Sequence, residues 1–187
     1  GVFFAAMKAS HLRIGAEGGL ASESIRIGAA YCGMGLAFLV LVLPGYAFPY
    51  LYDDFDFLIR TLHFSPGVLL PDRGTVFYRP VSREAYFGLL QLLSPHSALL
   101  GHALNTFFLL MAVVLTARIG ASALGARGGL LSGLFFAASG HLPVLVSWVS
   151  GCQDALAIFF TALALFLTIR GNHRLAIVAA GLGILSK

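Results

Sequence analysis

Charge is scarce in this sequence. Only 11% of its 187 residues are Asp, Glu, Lys or Arg, while 58% are hydrophobic and the mean hydropathy is +0.88. Soluble domains run to roughly 25% charged and 45–50% apolar residues, so a water-soluble fold would have nowhere to hide this much apolar surface. Cysteine is sparse too. Cys32 and Cys152 stand in or beside apolar runs, with no C-x-x-C pair. This argues against a disulfide framework or a zinc site and predicts two buried, inert thiols. There is no Gly-x-Ser-x-Gly, so a serine hydrolase elbow is excluded. Short alternating segments are missing as well; the apolar runs are continuous, which excludes a membrane β-barrel. The net charge of +4 and pI near 9.4 come from basic residues scattered along the chain. No basic patch for nucleic acid forms, and the cations read as topology signals. What remains is an all-α class, a polytopic bundle of transmembrane helices.

The apolar runs divide the chain. Residues 1–26 are mixed and Gly-rich, too long and irregular for a signal peptide, and read as a cytoplasmic tail. Spans are predicted at about 27–49, 97–117, 129–146, 150–169 and 175–187. Pro44 and Pro49 should loosen the last turns of the first span, and Tyr46, Phe48, Tyr50 and Tyr52 crowd that end as an aromatic belt would. Gly129 and Gly133 allow close helix approach in the third span, after a short loop at 118–128. Residues 51–95 form a long polar loop with two short interfacial helices expected near 54–63 and 81–93. Turns at Ser65-Pro66-Gly67 and Pro71-Asp72-Arg73-Gly74 would join them. The chain opens on Gly1 and closes at Leu185-Ser186-Lys187, inside or just after an apolar run, which predicts an N-terminal fragment of a longer polytopic protein.

With the N-terminus in the cytoplasm, Lys8, Arg13, Arg26, Arg118, Arg127, Arg170 and Arg174 all fall on the cytoplasmic side, as the positive-inside rule asks. Loop 51–95, the polar start of span two and the segment His141–Asp154 then share the outer face. Every group able to do chemistry therefore converges on one side of the membrane.

Those groups begin with Asp53, Asp54 and Asp56, three carboxylates within four positions at the mouth of span one. Acids so placed are partly desolvated and suit a general base or a cation such as Mg or Mn; as a solvated loop they would do neither. Arg79, in Phe77-Tyr78-Arg79-Pro80, and Arg83 suit a phosphate, or else an ion pair with Glu84 or Asp72. His102 and Asn105 share one helix face, either as ligands or as interhelical hydrogen-bond glue. Asp154 heads span four as an acid or simply as a cap. Ser147, Ser150 and Asp154 share a face if that helix begins early. Trp148 is an interfacial anchor or a platform for a sugar ring.

In order along the chain, Tyr52-Asp53-Asp54-Phe55, Phe77-Tyr78-Arg79-Pro80-Val81, His102-x-x-Asn105 and Trp148-x-Ser150-Gly151-x-x-Asp154 resemble the N-terminal third of GT-C superfamily glycosyltransferases. The nearest branch is the dolichyl-phosphate-mannose protein mannosyltransferase and aminoarabinose transferase type. The resemblance covers about residues 28–187. It departs from the family pattern at Gly101, where an aromatic is usual, at the extra Asp56, and at Lys187, where Ser-Lys-Glu is expected. It implies an integral enzyme of the bacterial inner membrane that moves a sugar from a polyprenyl phosphate to a protein, lipid or glycan acceptor on the outer face, with inversion. It also implies an external-loop acid as base, Asp53 with Asp54 next in line, and Arg79 and Arg83 on the lipid phosphate. Phosphate is a reasonable leaving group, so a divalent cation is optional. Two rival readings use the same residues: a secondary transporter with Asp53, His102 and Asp154 as an ion path, and a non-catalytic membrane scaffold.

Overall fold

The computed structural model describes residues 25–62, 70 and 78–187. The tail up to residue 24, the turns at 65–67 and 71–74, and Asp72 lie outside the described residues. The described residues are helical, with no strand, and three helices are long and apolar enough to cross a membrane. The protein is a membrane protein built as a helix bundle.

The first helix, α1, spans Ile25–Ala47. Its last turn, Leu43–Ala47, tightens to a 3-10 helix with Pro44 in its first positions, because proline lacks the N–H that an α-turn needs. Cys32 lies on an exposed face of α1, not in the core as its apolar surroundings suggested; Cys152 is buried. Helix α2, Asp53–Thr61, follows at once. A π-turn at Pro80–Ala85 runs into α3, Tyr86–Leu93. Two short helices thus stand where the sequence placed them in the polar loop.

Helix α4, Leu99–Ala137, is 39 residues long. Drawn straight it would reach about 58 Å, far beyond a bilayer core of about 30 Å. It is not straight. Gly125 has φ +74° and ψ 179°, and a Cβ built on Gly129 would lie 2.5 Å from the Ala117 carbonyl oxygen. Residues twelve apart touch, so α4 is two antiparallel arms joined at Gly125. The loop expected at 118–128 is therefore helical on both sides of a one-residue turn. The third pass is also interrupted. Helix stops at Ala137 and restarts as α5, His141–Ser147. A 3-10 turn, Val149–Gly151, leads into α6, Cys152–Ile169, and α7, His173–Ile184, closes the bundle.

Two buried clusters hold these elements. Met34, Phe38, Val42, Leu109, Val113 and Val146 form one along the spans; Tyr86, Phe87, Leu90, Val149 and Cys152 centre the other, under the short helices. The second cluster brings the ends of the elements together. Tyr50 Oη donates to the Ser97 carbonyl at 2.9 Å, Ser82 Oγ to the Ser186 carbonyl at 2.6 Å, and the Val81 amide to the Leu185 carbonyl at 3.3 Å. All the described carboxylates, Asp53, Asp54, Asp56, Glu84 and Asp154, lie at this end. Arg26, Arg118, Arg127, Arg170 and Arg174, all exposed, lie at the start of α1, beside the Gly125 turn and around the α6–α7 turn, at the other end.

Candidate functional site

Between α5 and α6 the chain cannot stay helical. Trp148 takes φ −115° and ψ 115°, an extended conformation, so the carbonyls of the last turn of α5 lose their amide partners. Side chains from elsewhere replace them. Asn105 Nδ2 donates to the carbonyls of Leu145, Trp148 and Val149 at 2.9, 3.3 and 3.1 Å. His102 Nδ1 lies 2.6 Å from the Val146 carbonyl oxygen, and its Nε2 lies 2.8 Å from that of Phe48. Asp54 Oδ1 accepts from the Ser150 amide at 2.7 Å, and Oδ2 from the Leu51 amide at 2.8 Å. The close fit explains two small residues. A Cβ on Gly151 would come within 2.7 Å of the Leu145 carbonyl, and one on Gly101 within 2.5 Å of Val149. Gly101, where the resembled family has an aromatic, is thus the only size that fits.

The break opens a cleft of about 250 Å³ lined by Asp53, His141, Trp148, Ser150, Gln153 and Asp154. Asp53 and Asp54 are adjacent, but α2 turns them about 100° apart. Asp53 is exposed at the cleft; Asp54 is fully buried behind it, both oxygens occupied. Burial pushes the Asp54 carboxyl above its ordinary range, and the amides of Leu51 and Ser150, the Ser150 hydroxyl and the charge of His102 pull the other way without cancelling it. Tyr52, just before Asp53, has φ +31°, a region costly for a residue with a Cβ. Strain is stored one residue from the acid that faces the cleft.

Of the residues singled out in the sequence, Asp53, Trp148 and Asp154 meet in the cleft. Arg79 joins at its rim, where Nη1 donates to Gln153 Oε1. Lys187 Nζ donates to Asp154 Oδ1, on a half-exposed pair. Arg83 is set apart. Its Nε lies 3.3 Å from Glu84 Oε1, which also takes Arg60 Nε at 3.0 Å, and its guanidinium lies 5.6 Å from the Phe57 ring centre. Burial, then repulsion from Arg60, pushes the Arg83 guanidinium down, with Glu84 opposing and Arg79 adding to the repulsion. Two arginines, Arg60 and Arg83, thus share one carboxylate.

His102 and Asn105 lie away from the cleft surface. Both are fully buried and bound to backbone carbonyls, so of the two readings open for them the structure favours hydrogen-bond glue over direct ligand contact. Ser147, Ser150 and Asp154 do not share one helix face. The break at Trp148 separates them, and Ser147 Oγ turns back to the Pro143 carbonyl at 2.8 Å. Asp53, Asp54 and Asp56 do not converge either. Asp56 is exposed outside the cleft, and among the described residues no three His, Cys, Asp or Glu side chains gather as metal ligands would.

Three residues escaped the sequence reading. Gln153 lines the cleft and holds Arg79; the only signal for it was a second polar residue beside Asp154 at the head of an apolar helix. His141 also lines the cleft and stood out in sequence only as the start of a Gly-His-Leu-Pro break. Tyr86 Oη donates to Asn105 Oδ1 at 2.7 Å or the Gly101 carbonyl at 2.8 Å, and burial holds its phenol well above the ordinary range. It looked like one more apolar position of an amphipathic helix. Comparison with protein-family models, curated proteins and solved structures finds no match for this chain.

Proposed function

We propose that the chain carries the acceptor-side site of an inverting membrane glycosyltransferase whose donor is a polyprenyl-phosphate sugar. The observation that carries the reading is the cleft at one end of the bundle, where Asp53, Trp148 and Asp154 meet beside Arg79. Each has a role this reaction needs. Asp53 takes the proton from the acceptor hydroxyl as its oxygen attacks the anomeric carbon. The bond from that carbon to the phosphate oxygen breaks on the opposite face, and the polyprenyl phosphate leaves with the electron pair. A base must stand within about 3 Å of the hydroxyl in the reacting complex, and the exposed Asp53 can be approached that closely. Arg79, with Arg83 and Arg60 behind it, supplies the positive field that a phosphate at the membrane surface requires. Trp148 offers an apolar face to a sugar ring. In this reading the end that bears Arg26, Arg118, Arg127, Arg170 and Arg174 and no described carboxylate faces the cytoplasm, with the cleft on the outer face of a bacterial inner membrane.

The gathering of all described carboxylates at one end favours this reading over an ion path, for which acids near mid-span are expected. The test is donor turnover in membranes holding the gene product that carries this chain, with radiolabelled polyprenyl-phosphate sugars. Asp53→Asn should cut turnover about 10²–10⁴-fold while the thermal stability of the protein and its retention of donor lipid stay at wild-type level. Failure of the wild type to transfer sugar from any such donor, or an Asp53→Asn variant that keeps pace with it, overturns the proposal.

A further inference from the structure

We infer that His102 and Asp54 are an ionised pair, imidazolium and carboxylate, that stands in for one missing helix hydrogen bond and fixes the walls of the cleft. The inference does not rest on the sugar-transfer reading. In an unbroken helix the Val146 carbonyl would accept from the Ser150 amide. The extended Trp148 pulls these two groups apart. Asp54 takes the amide, at 2.7 Å, and His102 takes the carbonyl, at 2.6 Å. Each side chain then spends its second polar atom on the segment that leaves α1, Asp54 on the Leu51 amide and His102 on the Phe48 carbonyl, both at 2.8 Å. The two side chains therefore tie the same two stretches, 48–51 and 146–150.

Proton accounting sets the charges. A neutral imidazole has one N–H and one lone pair. Facing carbonyl oxygens at both nitrogens, it would leave one lone pair against another. Only the imidazolium donates at both. Asp54 is the mirror case, since amide donors meet both its oxygens and the ionised carboxylate satisfies them without a proton. Both side chains are fully buried, where an isolated charge is costly; no salt bridge joins them, and each charge is met by two backbone hydrogen bonds and, through space, by the opposite charge across the break.

Asp53, the neighbouring carboxylate, is exposed at the cleft and not buried with the pair. Tyr46 lies with its ring 5.7 Å from that of His102, and its hydroxyl donates to Thr106. Tyr50 and Tyr86, which both feel the Asp54 charge, are held as neutral phenols chiefly by burial. Cys152, buried nearby, serves as a thiol donor to the Ser82 carbonyl. Asp54 is thus the counter-charge available to His102. Since Asp53 adjoins Asp54 and Ser150 lines the cleft, the pair sets how far the acid stands from the opposite wall. Both are positioning residues.

Solid-state NMR on the ¹⁵N-histidine-labelled chain in lipid bilayers tests this. Transfer from the ring nitrogens to the ¹³C carbonyl of Val146 identifies His102 among the six histidines without any mutation. Both ring nitrogens should be protonated at neutral pH. One bare nitrogen there overturns the inference. In Asp54→Asn, His102 should lose one ring proton; if it keeps both, Asp54 is not its partner. Should that variant fold too poorly to be measured, the wild-type spectrum still decides the charge of His102. The pairing is then decided by whether Asp54→Asn with His102→Gln restores part of the stability lost in either single variant. Additive losses would refute it.

Discussion

Two of the places where the chain leaves the helix within apolar sequence, Gly125 and Trp148, are built in opposite ways. At Gly125 the turn is local. One glycine adopts φ +74°, and a Cβ added there would meet nothing within 4 Å. The arms on either side are held by their own packing, with Gly129 against Ala117 and Ala121. At Trp148 the backbone angles are ordinary for any residue, and local hydrogen bonds, from the Trp148 amide to the Val144 carbonyl and from the Gly151 amide to the Trp148 carbonyl, satisfy only part of the freed backbone. The freed carbonyls and amide are satisfied by Asp54, His102 and Asn105, which lie 40 to 96 residues away along the chain. A break that only reverses the chain needs one permissive residue. A break that must present Trp148, Ser150 and Asp154 to a cleft needs buried polar side chains from two other elements. The chain's polar residues are few, and it places several of the buried ones here.

The sharpest way to break the comparison is at Asn105. Asn105→Leu removes the donor shared by three carbonyls and leaves Tyr86 with one acceptor fewer. Each buried group left unsatisfied costs about 1–3 kcal/mol, so the loss should be on the order of 3 kcal/mol or more. Cys152 supplies the readout, because it is buried beside the break. In a Cys32→Ser background, labelling of Cys152 by a thiol-reactive dye should set in at markedly lower temperature in the variant. Unchanged labelling would mean that the break is held by something other than Asn105.

That dependence on distant partners explains what the sequence could and could not tell. The apolar runs are long, and the amphipathic patterns around 54–63 and 81–93 are periodic, so the helices at Asp53–Thr61 and Pro80–Leu93 were legible. The Gly125 turn was half legible. A loop was expected at 118–128 and close helix approach at Gly129 and Gly133, but only Gly125 turns the chain, while Gly120, Gly128 and Gly129 let the arms approach. The gap between the spans expected at 129–146 and 150–169 marked the place of the Trp148 break, but not the extended backbone there or the distant side chains that hold it. The division of labour between Asp53 and Asp54 was hidden for a similar reason. Neighbouring acids on one helix differ only in which way they face, and that depends on the Ser150 amide 96 residues further on.

A milder perturbation acts on Asp54 through pH. Burial raises its folded-state carboxyl above the ordinary 3.8, so the folded protein holds this proton more tightly than the unfolded chain does. The sign follows from linkage. Asp54's titration favours folding most below its unfolded value, and that contribution is lost as pH rises through the raised folded one. Removing the His102 charge, as in His102→Gln, should move the Asp54 titration to still higher pH, because that charge is one of the influences pulling it down. Carboxyl ¹³C shifts of labelled Asp54, followed through acid pH, read this directly. A titration that stays put in His102→Gln would show that the two ends of the Trp148 break are not electrostatically linked.

The smallest effect belongs to the other break. Gly125→Ala forces a side chain into a positive-φ extended backbone that essentially glycine alone adopts, but it creates no clash, so the cost should be about 1–3 kcal/mol. It should also stay local. The same Cys152 labelling assay should shift modestly in onset, and donor turnover at the remote cleft, if the protein transfers sugar, should be unaffected below that temperature. A Gly125→Ala variant that disturbed the cleft as much as Asn105→Leu would mean the two ends of the bundle are mechanically joined through the arms of α4, and the contrast between a local and a supported break would fail.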